Sequence, residues 1–321
     1  MRKIVSILIL VITCFVGFSQ QDPQVSLNMY NQLTVNPAYA GCNEAVCGSI
    51  LHRNQWLGFS SDDGSAPRTD IFNVHGAFEK FSSGVGLVLM QESIGFESNL
   101  NLNLAYSYRI PVGKSAKLSL GLSFGMFNKS LDGQWRTPDM LDQDNNVSSP
   151  FDDPAIPYSE SKVVFDAGFG AFFRTAEGLY IGLSSTHLPQ SRFKFSSDPI
   201  TYLQRHYYLS AGYYWQTPSP LFVVKPGLFI KSDGQTVQYD INALVEWKKM
   251  AWGGISYRVG DAFVAMAGVH LPMNLRIAIA YDFTTSALSK YSSGSIEVMV
   301  NYCFTLKIDS QRGSYKSVRF L

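Results

Sequence analysis

Apolar and polar residues alternate one by one along most of this chain. Asn99 to Arg109 reads NLNLNLAYSYR, which puts Leu100, Leu102, Leu104, Tyr106 and Tyr108 on one face. Asn99, Asn101, Asn103, Ser107 and Arg109 take the other. Lys117 to Phe127 and Val237 to Trp247 repeat the device. A period of two belongs to strands with one apolar face. The same reading predicts strands at 45–56, 69–81, 84–92, 99–109, 117–127, 162–174, 178–187, 206–216, 221–232, 237–247, 250–259, 261–270, 275–283 and 296–304, fourteen in all. Many approach the roughly 9–11 residues that a tilted strand needs to cross a bilayer. Tight turns at 81–84, 176–178, 232–234 and 259–261 join neighbours into an antiparallel meander.

A soluble sandwich would alternate in the same way, and three features favour a transmembrane barrel with an even number of strands. The polar faces hold Arg109, Asp166, Asp240, Glu246, Arg276, Asp282 and Glu297 among Asn, Ser, Gly and Gln, as a packed or watery lumen requires. Aromatic residues gather near strand ends, at Trp56, Tyr106, Tyr108, Tyr207, Tyr208, Tyr213, Tyr214, Trp215, Trp247, Trp252 and Tyr302, as interfacial girdles would. The connections alternate between short turns and long polar loops. The expected fold is therefore an all-β antiparallel transmembrane barrel with long extracellular loops.

Composition agrees. Charged residues make up 16% of the chain and aromatic residues 14%, against about 25% charged in soluble domains. Residues 1–19 read as a signal peptide: Arg2 and Lys3 precede the apolar run Ile4 to Phe18, and Gly17 and Ser19 suit a cleavage site. Removing Arg2 and Lys3 leaves 24 basic against 25 acidic residues, a net charge of −1. No basic field for nucleic acid exists. The expected organisation is a periplasmic N-terminal segment over 20–43, a barrel over 44–305 and a basic periplasmic tail over 306–321.

Cys42 and Cys47 are close enough in sequence to bridge and staple the loop before the first strand, or to remain two small free thiols. The longest loop, Lys129 to Glu160, is acidic and holds Pro138, Pro150, Pro154 and Pro157. Its stretch Asp139 to Asn146 lacks the Gly and terminal Glu of a calcium loop, so it reads as a solvated surface loop. Leu188 to Arg205 is a second, basic loop. The histidines 52, 75, 187, 206 and 270 sit in or beside strands without a catalytic signature. Ser49 and His52 fall on opposite faces of one strand. The expectation is no enzyme activity, no cofactor and no metal.

The least ordinary stretch is Asn31 to Gly58. It contains Asn36-Pro37-Ala38-Tyr39-Ala40-Gly41 and then Arg53-Asn54-Gln55-Trp56-x-Gly58. Together with Gln20-Gln21-Asp22-Pro23-Gln24, Met29-Tyr30-Asn31, Gly294-Ser295-x-Glu297 and the terminal Arg319-Phe320-Leu321, it makes the chain resemble the PorP/SprF family of Bacteroidota outer-membrane proteins. The resemblance implies a non-enzymatic barrel of the cell outer membrane. Such a barrel would assist type IX secretion or anchor large secreted proteins, gliding adhesins included, at the surface. It also implies partners: type IX secretion components in the periplasm, the C-terminal domain of secreted cargo outside, and the lipid bilayer.

Candidate partner-binding residues are Asn36, Pro37, Tyr39, Arg53, Gln55, Trp56, Arg312, Lys316 and Arg319. In the first group Asn36-Pro37 would stop strand pairing at the periplasmic mouth, Tyr39 would anchor at the interface and Gly41 would allow the bend into strand one. The alternative function is an outer-membrane channel for small solutes. In that case residues 20–40 would plug the lumen, with Asn28, Tyr30 and Asn31 facing inward.

Overall fold

Fourteen strands close into a barrel in the computed structural model, which describes residues 22–59, 66–131, 159–195 and 200–305. They are β1 (Val46–Asn54), β2 (Arg68–Phe78), β3 (Ser83–Ile94), β4 (Glu97–Val112), β5 (Ala116–Leu131), β6 (Glu160–Thr175), β7 (Leu179–Thr186), β10 (His206–Tyr213), β12 (Phe222–Ser232), β13 (Val237–Trp247), β14 (Ala251–Arg258), β15 (Ala262–Leu271), β16 (Leu275–Thr284) and β17 (Ser295–Phe304). Three short segments are accessory. β8 (Arg192–Lys194) and β9 (Ile200–Tyr202) pair with each other, and β11 (Trp215–Gln216) pairs with β12. Every neighbouring pair is antiparallel, and β1–β17 and β10–β12 complete the ring. Closure leaves no barrel edge unpaired, which is what a sheet in hydrocarbon requires. All fourteen strands expected from alternation are present.

The pleat sorts the side chains as the alternation predicts. Leu104, Leu122, Phe124, Phe165, Ile241, Ile255 and Phe263 stand outward and exposed, with Ile255 reaching 68%. An apolar band that covers a sheet on its outside is a lipid face. Arg109, Asp166, Asp240, Glu246, Asp282 and Glu297 point inward and are buried. Two expected girdle residues differ. Tyr208 and Trp252 are buried in the lumen, whereas Tyr207, one pleat position from Tyr208, is exposed. Clustering near a strand end gives depth, but parity decides the face.

One rim carries the connections 79–82, 113–115, 176–178, 248–250 and 272–274, together with the start of β1 and the end of β17. The other carries the long connections 55–67, 132–159, 187–205 and 285–294. In outer-membrane barrels short turns face the periplasm. The acidic stretch 132–158, the signal segment 1–19 and the tail 306–321 lie outside the described residues.

The cysteines pair differently from the expectation. Cys47 faces Cys303 in the β1–β17 ladder and the two form a disulfide across the seam where the sheet closes. Cys42 is free and buried. The loop partner lost because ladder register places Cys303 directly opposite Cys47, with a Cα–Cα distance of 4.1 Å.

The larger correction concerns residues 22–43, which the leading reading expected outside the barrel on its periplasmic side and only the channel alternative expected as a plug. They run through the lumen from the long-loop half to the short-turn rim. Asp22 lies against His187 and His206, and Gly41 lies against Arg109 and Gly84. Along the way are three short turns of helix, Asn28–Tyr30, Gln32–Val35 and Pro37–Tyr39. The physical reason is complementarity: a lumen wall lined with charges and amides needs partners, and this segment supplies them.

Candidate functional site

The seat of this internal plug has a charged half and a close-packed half. In the charged half Arg53 of β1 stands opposite Glu297 of β17, and Asp240 of β13 stands opposite Arg258 of β14. Asp282 of β16 joins them: Arg53 Nη2 donates to it at 2.8 Å and Arg258 Nη1 at 2.9 Å. Ser26 of the plug sits at the centre. Its backbone N–H donates to Glu297 at 2.8 Å, its hydroxyl donates to Asp282 at 2.7 Å, and both guanidiniums donate to that hydroxyl oxygen. The N–H of Leu27 donates to the second oxygen of Glu297 at 2.8 Å.

Arg53, Arg258, Asp282 and Glu297 are almost wholly shut off from solvent. Such ions are costly to desolvate, and multiple hydrogen bonds in a fixed geometry offset the cost. Below Ser26, Leu27 packs on inward apolar residues from several strands, Leu51, Ile71, Met90 and Met299 among them. Tyr30 packs on Trp252 with the rings tilted by 37° and their centroids 5.0 Å apart.

The close-packed half holds Asn36 to Gly41. Asn36 caps its turn by accepting from the N–H of Ala38 at 3.0 Å, and its amide donates across to the carbonyl of Ala171 in β6 at 3.1 Å. Pro37 occupies the first helical position, where its missing N–H leaves nothing unsatisfied. The wall here approaches to backbone distance. A Cβ on Gly121 of β5 would lie 2.3 Å from the nitrogen of Ala38, so only glycine admits the plug there. Gly41 ends the segment at φ +71°, accepts from Arg109, and donates its N–H to His75 Nδ1 at 3.1 Å. The bend expected at Gly41 is therefore present, and it leads into β1.

Each candidate partner-binding residue has a definite place. Asn36 and Pro37 are buried between plug and wall, and Arg53 is buried in the charged half. Tyr39 does not stand at a bilayer interface. It meets Phe172 and His75 edge-on inside the lumen, at 5.2 and 5.5 Å. Gln55 and Trp56 follow β1 at the long-loop rim, where the N–H of Trp56 donates to Ser295. Arg312, Lys316 and Arg319 lie outside the described residues. The structure thus unites Asn36, Pro37, Tyr39 and Arg53 in one internal seat, apart from Gln55 and Trp56.

Sequence reasoning missed a third set of residues at the start of the plug. Asp22 contacts His187 Nε2 at 3.0 Å, accepts from the hydroxyl of Tyr208, and donates its own N–H to His206 Nε2 at 3.1 Å. His187 Nδ1 lies 2.9 Å from Asp166. Lys231 Nζ donates to the carbonyl of Asp22. Burial opposes the charged form of His187, yet the Asp22 and Asp166 carboxylates prevail and push its pKa up to about 10. Burial also opposes the Asp22 carboxylate, but His206 and His187 hold its pKa well below the usual range. Among the described residues this is the cluster with metal-ligand chemistry. Its members stand at 22, 187 and 206, so no local spacing announces it. Ser49 turns inward to Asn73, while His52 is on the outside beside Asp70, so no nucleophile and base meet there.

The fold has solved counterparts of low identity. The structure is similar to the CymD monoaromatic hydrocarbon channel at 12% identity and a TM-score of 0.51, with 86% of this chain and 92% of that chain covered. It is also similar to the Acinetobacter baumannii outer membrane protein Omp33, at 7% identity, 81% and 99% coverage and a TM-score of 0.46. A Pseudomonas aeruginosa FadL homologue follows at 8% identity, 83% and 92% coverage and a TM-score of 0.47. No curated protein matches the chain. The family described as type IX secretion system membrane protein PorP/SprF matches residues 17–302.

Proposed function

The chain belongs to the PorP/SprF family of type IX secretion system membrane proteins, and from that premise we propose that it serves secretion as a plugged docking barrel, not as a conduit. Family and fold make it a non-enzymatic outer-membrane barrel. The observation that carries the finer reading is the filled lumen: residues 22–43 are tied to the wall by ions, amides and backbone contact from one half to the other. Such a barrel works through its rims. The long-loop rim receives the C-terminal domain of secreted cargo and holds large proteins, gliding adhesins among them, at the surface.

The short-turn rim receives periplasmic components of the secretion system. Lys80, Lys114, Lys248 and Lys249 stand on its turns with Lys117 and Arg174 beside them, the last two paired with Glu44, and they outnumber Glu44, Glu79 and Glu177; Arg312, Lys316 and Arg319 follow in the tail. A basic rim favours acidic partner surfaces and speeds their capture. The competing reading, a channel for small solutes, draws on the likeness to a hydrocarbon channel, and that likeness is one of fold.

Cells lacking the chain separate the two readings. The docking barrel predicts loss of cargo from the surface with solute uptake unchanged. Lost uptake of small solutes with normal cargo display would overturn it.

A further inference from the structure

His187 follows β7 directly, and His206 opens β10 opposite Thr186, so the ladder brings the two rings side by side. Their centroids are 5.8 Å apart at 80°. The Nδ1 of His206 faces the carbonyl of Gln204 at 3.0 Å. A carbonyl only accepts, so Nδ1 carries the hydrogen and Nε2 presents a lone pair. The Nδ1 of His187 likewise faces an acceptor, the Asp166 carboxylate. Its Nε2 then points a ring nitrogen at the Asp22 carboxylate 3.0 Å away. Two acceptors cannot share that contact without a cation between them, either a proton or a metal ion.

We propose that Asp22, His187 and His206 form a divalent-metal site of the zinc class, which fastens the start of the plug to the barrel wall. The donor set is two imidazoles and one carboxylate, which suits zinc among the common ions. One ligand atom from each residue lies within 4.8 Å of the others. Ligands at zinc bond lengths stand about 3.4 Å apart in a tetrahedron, so side-chain adjustment of about an ångström brings them to one ion. Asp166 and the Gln204 carbonyl hold the Nδ1 hydrogens and leave Nε2 of each imidazole as the metal-binding nitrogen, and the His206 ring, whose Nδ1 now lies 3.8 Å from the Asp22 carboxylate, turns its Nε2 to the ion. Binding replaces the proton on His187 Nε2 and the Asp22 N–H on His206 Nε2. Once the metal has replaced the proton on His187, the carboxylates of Asp22 and Asp166 face the single ammonium of Lys231, so the dication meets two negative groups against one positive. A cavity of about 250 Å³, lined by Asp22, His206, Glu92, Glu97 and Lys129, gives the ion an approach.

The functional consequence is a removable latch. Ser26 and Leu27 hold the plug from one side of the barrel, and the metal would hold residue 22 from the β7–β10 side. Chelation would then loosen residues 22–25 while the charged seat stays closed.

The test uses the full processed chain, folded in detergent and stripped with a chelator. Zn²⁺ alone is titrated against a chromophoric competitor, and Co²⁺ alone is followed by its visible absorption. The expected result is one Zn²⁺ per barrel and the intense absorption of tetrahedral Co²⁺. Asp166→Asn should weaken binding about 10–100-fold, and His187→Gln or His206→Gln should abolish it. Heat-modifiable migration in electrophoresis confirms that each variant is folded. Should a histidine variant fail to fold, Asp22→Asn removes a ligand from the plug without touching the wall. Hydrogen exchange at 22–25 should slow on Zn²⁺ addition in the parent chain alone. Absence of stoichiometric Zn²⁺, or equal binding by the parent and the ligand variants, overturns the proposal.

Discussion

Replacing Arg53 with Met removes the cation that joins β1, β16 and β17 to the plug, at nearly unchanged length and with no new polar group. Asp282 keeps Arg258 at 2.9 Å and the hydroxyl of Ser26. Glu297, at 0% exposure, loses its ion-pair partner and retains the N–H groups of Ser26 and Leu27. Removing one member of a buried pair costs about 3–5 kcal/mol, because the other charge stays desolvated. Arg53→Met should cost that much, whereas Arg53→Met with Glu297→Gln should recover part of it, since both charges are then gone but the Gln amide can accept from only one of the Ser26 and Leu27 N–H groups. Urea unfolding in lipid vesicles reads the total. Exchange of the Ser26 and Leu27 amides reads the plug alone and should quicken in the single variant. A loss below about 1 kcal/mol, the range of exposed pairs, would refute the reasoning, as would a double variant no better than the single.

Three shorter predictions test the remaining features. Gly121→Val should push Asn36 to Gly41 off the wall, since even a Cβ would meet Ala38; limited proteolysis should then cut within 22–41 in a barrel that still migrates as folded. In the untreated chain Cys42, whose thiol burial pushes above its usual pKa, should resist maleimide until the barrel unfolds. Reduction or Cys303→Ser should open the β1–β17 bond and lower stability by about 2–5 kcal/mol, which unfolding with and without reductant measures.

The barrel was legible because alternation is a local signal that repeats in every strand, and a closed sheet with a lipid face uses it throughout. Asp240, Asp282 and Glu297 were legible as inward charges by parity, but their convergence on Arg53 was not, because it depends on strand order around the ring. The plug was legible as one of two alternatives but not as the choice between them, for a related reason. Asn36 bonds to Ala171, 135 residues away, and its turns of helix are too short to leave a periodic pattern. Its breaker residues therefore resembled a connection outside the barrel. Cys47 and Cys303 become partners only once the first and last strands are known to meet. Asp22, His187 and His206 share a site only after the plug is inside.

Planar-bilayer conductance of the purified full chain tests the central claim most directly. A lumen filled by residues 22–43 predicts no stable open steps across the voltages that ordinary porins tolerate. Steady porin-like conductance from the unmodified chain, with the Ser26 and Leu27 amides still protected from exchange, would show a continuous water path beside a seated plug and contradict the account.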